Sequence, residues 1–537
     1  MRPKAKKLET KETHTHTQKM TDTKVLANSV IGYPESLGLF SRPLQNLGIR
    51  HTKRVEYLPV NDMTAQSVII FEVKSSGASY IDLSKTLLRV TAKIVNADGS
   101  TVKDFVEAVK QSKSEQAKKS KVKNSDTATS GSAASASATA ADDSVTNKGS
   151  STSSTSDGVS GTQGTGEGSK EEDQEELPGI VAPCQNFMHA IFERVDVMLQ
   201  NNLVTDSEVT YGYTAFFKAL QASPEQKKSI MQMQMYFENE NETSDEYPAN
   251  WTMSEDPNFR KRGKIFAKSR EVTMCGKIAS SIFDVERLLI YGVPLKIVLY
   301  PSQPDFCLIS PDTNPRPDFK VVITKAVLEV THVDVAPEIL AAHTEILKTE
   351  PCLYPFTKTE TKLFAIAQNS YSAEINSPYD GRVPSQLIMG LCDAESVHGS
   401  YNKDCFKFEH CNLRSIQCIV DGSDVGQSPI YTKYGDTAFE SSYIEGYNSL
   451  RGFGGIQNIA PFGLFAYHNG LTLYRFVIEE QESGTVSQGD VIPLQRTGNI
   501  RLKLQFDKPL KNPKTLIVFG LFASGFKIDR NRAVHVL

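Results

Sequence analysis

Apolar and polar residues alternate along many short stretches of this chain, with the two-residue period of strands that bury one face. Ile500, Leu502, Leu504 and Phe506 interleave with Arg501, Lys503 and Gln505, which predicts a half-buried strand. The same pattern predicts strands at 67–73, 86–95, 270–278, 295–300, 319–335, 362–367, 386–391, 413–420, 471–479 and 515–522. One helix is signalled by Ser223, Pro224 and Gln226, an N-cap, a first-turn proline and a capping-box glutamine, and it is predicted to run to about Phe237.

Two blocks of the alternating pattern recur in order. Residues 85–95 (KTLLRVTAKIV) return as 325–335 (KAVLEVTHVDV), and 187–199 (FMHAIFERVDVML) return without a gap as 408–420 (FEHCNLRSIQCIV). The second match puts Val195 on Ile416, Val197 on Cys418, His189 on His410 and Val204 on Val425. Matched strands in matched order predict two copies of one β-domain. About eight strands per copy, with long excursions between them, predict an all-β protein of two tandem eight-stranded jelly-roll sandwiches, a double jelly roll with a short helix and long loops.

Composition divides the chain further. Residues 1–55 are polar and read as a flexible basic arm. Up to Arg54 there are eleven Lys or Arg against four Asp or Glu, a net +7. From 100 to 176 the chain is rich in Ser, Thr, Ala and Gly, and no aromatic lies between Phe105 and Phe187. Such a segment has too little apolar surface to offset ordering, so it predicts a disordered insertion in the first sandwich. The five prolines between Pro301 and Pro317 suggest the junction, giving a first sandwich at 56–310 and a second at 311–537.

The remaining chemistry excludes more than it offers. The 537 residues are 39% hydrophobic and 23% charged with a net charge of −4, an ordinary globular balance. Eight cysteines in a chain of this size, without an apolar leader, read as reduced thiols, and no apolar stretch is long enough to span a bilayer. There is no phosphate-cradling glycine loop and no nucleophile elbow, so no catalytic or cofactor-binding residue is assigned. His398, Cys405, His410, Cys411 and Cys418 form the best metal candidate, but their spacing lacks paired ligands, and Cys418 is expected to be a small buried hydrophobe. The arm, with Arg2, Lys4, Lys6, Lys7 and Lys11, has two readings: a solvated tail, or a mobile polycation facing a genome and neutralising phosphates without reading sequence.

Several segments resemble the double jelly-roll major capsid proteins of Polinton/Maverick elements and adintovirus-like viruses, within the adenovirus-type capsid lineage. They are 80–90 (YIDLSKTLLRV), 187–197 (FMHAIFERVDV), 387–391 (LIMGL), 398–408 (HGSYNKDCFKF), 498–506 (GNIRLKLQF) and 528–532 (IDRNR). The resemblance covers roughly 56–96 and 178–537, and the insertion after Gly99 departs from it. It implies a structural subunit with no enzymatic activity. Three chains would form a pseudo-hexagonal homotrimer that tiles an icosahedral shell. It also implies a penton protein and other minor capsid proteins as partners, non-specific contact with packaged double-stranded DNA, and a place in the virion after synthesis as a soluble cytoplasmic protein, with assembly in the nucleus. The alternative from the residues alone is a tandem β-sandwich intracellular module that binds carbohydrate or protein; its only tryptophan, Trp251, offers little platform for a sugar. An enzyme on the same scaffold would need a metal or nucleophile set.

Overall fold

The computed structural model describes residues 48–537 apart from 62–66, 75–76, 103–180, 206–208, 238–256, 311–317, 427, 436–442, 454–459 and 480–495. The arm residues Arg2 to Lys11, nearly all of the 100–176 insertion and Trp251 therefore lie outside the described residues.

Among the described residues, sixteen strands make two sandwiches. The first holds β1 (Ile49–Tyr57), β2 (Ile69–Val73), β3 (Tyr80–Asn96), β4 (Phe192–Leu199), β5 (Asn202–Leu203), β6 (Val272–Gly276), β7 (Leu295–Pro301) and β8 (Phe319–Val335). The second holds β9 (Cys352–Ile366), β10 (Ser372–Asn376), β11 (Gln386–Asp393), β12 (Leu413–Val420), β13 (Ser423–Asp424), β14 (Leu473–Val477), β15 (Ile500–Phe506) and β16 (Lys514–Ile528). The sheets of the first run β1-β8-β3-β6 and β2-β7-β4-β5; those of the second run β9-β16-β11-β14 and β10-β15-β12-β13. Adding eight to each strand number converts one sandwich into the other, so the chain is two jelly rolls in tandem. Short strands at Ile430–Tyr431 and Val534–Val536 extend the second sandwich.

The gapless match is a true structural equivalence. Leu199 pairs with Asn202 and Val420 with Ser423 across the same tight turn. The Val204 N–H donates to the Val197 carbonyl at 2.9 Å, as Val425 does to Cys418 at 3.1 Å.

The other match is not. Residues 85–95 lie on β3 and 325–335 on β8, antiparallel neighbours in one sheet, with Val90 opposite Ala326. They share an alternation because both face the same core, where Leu88, Val90 and Ala92 meet Leu328 and Val330. The partner of β3 in the second sandwich is β11, and that of β8 is β16.

Two boundaries move accordingly. β8 belongs to the first sandwich, so the junction lies after Val335 and not at 310/311. It contains the helix α2 (Pro337–Ile346), which has proline in its first turn. At the other end β1 pairs with β8 from Ile49 onward, so the first sandwich starts before residue 56. The helix expected to reach Phe237 keeps its capping box but ends at Lys228, followed by a 3-10 turn at Ile230–Gln234. A longer helix, α1 (Tyr211–Gln221), precedes it.

β15 alternates buried and exposed residues along its length. β11 and β16 read as continuous apolar runs because both of their faces are covered. Leu387, Met389, Leu391, Leu516 and Val518 point into the second sandwich, whereas Ile388, Cys392, Ile517 and Phe519 join the core that includes the first. Gly390 sits where a Cβ would overlap the Phe408 ring and Leu473, so only glycine admits that packing.

Candidate functional site

Nothing in the described residues converges as a catalytic centre would, and the most developed feature is the seam between the sandwiches. Helix α1 lies in it, with nearly every side chain buried. Phe216 stacks on Phe406 with ring centroids 4.5 Å apart, and Phe217 packs against Phe408 at 5.5 Å and Phe519 at 5.0 Å. Hydroxyls satisfy one another beside this aromatic cluster. Thr214 meets Thr361 at 2.8 Å, and the Thr359 N–H donates to Ser281 Oγ at 3.2 Å. Farther along, Tyr354 accepts from the Ile290 N–H at 3.0 Å and donates to the Leu288 carbonyl at 3.2 Å. An apolar seam of this kind behaves as a domain core, and it holds the two sandwiches as one body.

Charges at the seam are paired. Lys218 and Lys277 both reach Asp284, at 2.7 and 2.8 Å. Burial pushes the Asp284 carboxyl up, but the two ammoniums more than offset it and leave its pKa below the usual range. Glu360 is gripped by Arg382 through two bonds of 2.5 and 2.7 Å and by Lys358 at 2.8 Å. Burial again acts upward, and these cations carry its pKa below normal.

Antiparallel order gives each sandwich two unlike ends. The loops β1–β2, β3–β4, β5–β6 and β7–β8 gather at one end, and their counterparts in the second sandwich do the same. The Ser310 N–H donates to the Tyr401 carbonyl at 2.8 Å, so the long-loop ends of the two sandwiches lie side by side. The other end carries the remaining connections, including β6–β7 and β14–β15. There β1 begins, the Ala336 N–H donates to the Gly48 carbonyl at 2.9 Å, and Arg532 covers the Tyr291 ring at 4.2 Å. Large apolar side chains are exposed in the long loops, among them Ile230, Met233, Tyr431, Ile444 and Phe465.

The Cys and His candidates are not brought together as ligands. His398 is exposed on the short helix Ala394–His398. Cys418 is an inward residue of β12, as expected, and Cys405 lies in the core shared with the first sandwich. Burial raises the Cys411 and Cys418 thiols to about 12 and also pushes the Cys405 thiol well above its ordinary value. Among the described residues no group of three or more His, Cys, Asp or Glu could hold a metal ion. His189 and His410, equivalent in the repeat, differ in partners. His189 is buried between Tyr211 at 2.9 Å and Gln234 at 3.2 Å, whereas His410 accepts from the Asn412 N–H at 3.0 Å and stacks on Tyr434. The aromatic seam is built from two sequence-distant pairs, Phe216 with Phe217 and Phe406 with Phe408, which only the fold brings together.

No family model matches the chain. A curated relative, the uncharacterized protein F54H12.2 of Caenorhabditis elegans, is 22% identical over 364 residues, spanning 65% of this chain and 80% of that protein. Among solved structures, a chain from the 3.5 Å cryo-EM structure of the Sputnik virophage aligns with a TM-score of 0.50 and 10% identity, covering 96% of this chain and 94% of the other. The Faustovirus major capsid protein aligns with a TM-score of 0.50 and 10% identity, covering 91% and 92%. At such identities the likeness is one of fold, and that fold is the double jelly roll.

Proposed function

We propose that the chain is a major capsid protein, a structural subunit and not a catalyst. The observation that supports this best is the duplication itself: one chain carries two sandwiches of identical strand order, fixed side by side and pointing the same way. Three such chains in a ring present six comparable lobes, and a ring closed by repeated heterologous contacts needs near-equivalent faces. The capsomer is then a pseudo-hexagonal homotrimer able to occupy six-fold positions of an icosahedral shell. The apolar residues exposed in the long loops are suited to its subunit contacts.

The finer reading is a capsid of the Polinton/Maverick and adintovirus-like type, enclosing double-stranded DNA and completed by penton and minor capsid proteins. Its location is the virion, with assembly in the nucleus after synthesis in the cytoplasm. The arm residues Arg2, Lys4, Lys6, Lys7 and Lys11 are suited by their charge to neutralise phosphates of the packaged genome without sequence preference. Native mass spectrometry of the purified full-length protein tests the core of this reading. A species of three chains is expected, and a single chain at micromolar concentration would reject it.

A further inference from the structure

The long-loop end of the second sandwich contains a cleft of about 590 Å³. It opens where the β15–β16 loop meets the segment after β11 and the turn at 468–470 that leads into β14. Five lysines line it, Lys403, Lys407, Lys508, Lys511 and Lys514, against two carboxylates, Asp393 and Glu409.

Those carboxylates are already engaged. Lys514, itself buried, lies 3.1 Å from Asp393 and 2.5 Å from Glu409. Lys403 takes the other Asp393 oxygen at 2.9 Å and reaches out to Glu395 at 2.7 Å, while Lys407 lies 3.7 Å from Glu409. Both carboxylates of the lining are thus paired with ammoniums. Lys508 and Lys511 stand on the exposed β15–β16 loop, and among the described residues no carboxylate pairs with either. The wall adds a further polar atom without a partner, the buried Nε2 of His468.

A concave site with surplus ammoniums and few acceptors is built for an anion, and its size admits several charged groups at once. We infer that this cleft binds a small polyphosphate, such as a nucleoside triphosphate or inorganic tripolyphosphate, through Lys508 and Lys511. The ion-paired Lys403, Lys407 and Lys514 form a charge-balanced floor beneath it. A confined cleft favours such a compact ligand over the backbone of a long nucleic acid, which needs an open track of cations. The inference does not depend on the capsid reading.

Calorimetric titration of the full-length protein with inorganic tripolyphosphate, and separately with ATP, at fixed ionic strength tests it. Saturable binding of one tripolyphosphate per chain is expected. The Lys508→Gln/Lys511→Gln variant should weaken it at least tenfold. Lys348→Gln, beyond α2 at the opposite end, should leave it unchanged. ATP losing affinity in parallel would identify the triphosphate as the recognised group, and ATP failing to bind would assign the site to inorganic polyphosphate. Superimposable tripolyphosphate isotherms for wild type and double variant, or heats no larger than those with sulfate at equal ionic strength, would overturn the assignment. So would a DNA duplex that needs the two lysines while tripolyphosphate does not bind.

Discussion

Truncating Phe217 to alanine removes the ring that most directly joins the two sandwiches. Phe217 is fully buried on α1, and its ring meets Phe408 and Phe519, both from the second sandwich. Losing the buried ring forfeits its transfer free energy, about 1.5–3 kcal/mol. The space left behind adds a cavity penalty, because α1 is held on both sides and cannot collapse. The sum is about 3–5 kcal/mol, typical of a core Phe→Ala change, and the two aromatic contacts place it in the upper half of that range. Urea unfolding followed by circular dichroism measures it, with Ile346→Ala as the comparison. Ile346 is 54% exposed on α2, so its truncation should change stability by about 0.5 kcal/mol or less. A Phe217→Ala loss below about 1 kcal/mol would refute the claim that this seam is packed as a core.

Val195 and Ile416 are equivalent inward residues of β4 and β12, 5% and 0% exposed, so Val195→Asp or Ile416→Asp should each abolish soluble protein; wild-type yield from either contradicts the register. His189 gives a pH dependence of known sign. Burial, only partly offset by Gln234, lowers its pKa from 6.5 to about 4. The unfolded chain therefore takes up the proton first as pH falls. Its contribution is complete above about pH 6.5 and is lost progressively toward pH 4, about 3 kcal/mol in all. His189→Gln should flatten the stability profile across that window, and an unchanged slope would show that the imidazole is not held neutral. Deleting 103–176 should leave oligomerisation, read by light scattering, intact. The deletion must spare Val102, which is buried and whose N–H donates to Ser269 Oγ at 2.9 Å; dissociation to single chains would show that the insertion contributes to assembly.

Much of the fold is written in side-chain periodicity, and what escaped it has physical reasons. β15 and β12 alternate because one face of each is buried, so their extents are readable to within a residue. β1 is invisible to the same logic. Its residues are mostly exposed, and it is ordered by pairing with β8 through backbone groups that carry no sequence signal. α1 is masked by its composition. Tyr211, Gly212, Tyr213, Phe216 and Phe217 are weak helix formers, and tertiary burial overrides that preference. The false match between β3 and β8 shows the limit of pattern comparison: strands facing one core converge on one alternation, whereas the β4 and β12 blocks match through their turns as well. The lysine cleft was not legible, because Lys403, Lys407, Lys508 and Lys511 come from two loops separated by about a hundred residues.

Cryo-electron microscopy of the purified full-length protein probes the duplicated-brick account at its root. Averaged views should display a closed ring of six lobes with true three-fold symmetry, consecutive lobes belonging alternately to residues 48–335 and 352–537. Isolated two-lobed particles, or a ring in which the lobes of one chain are not neighbours, would contradict it.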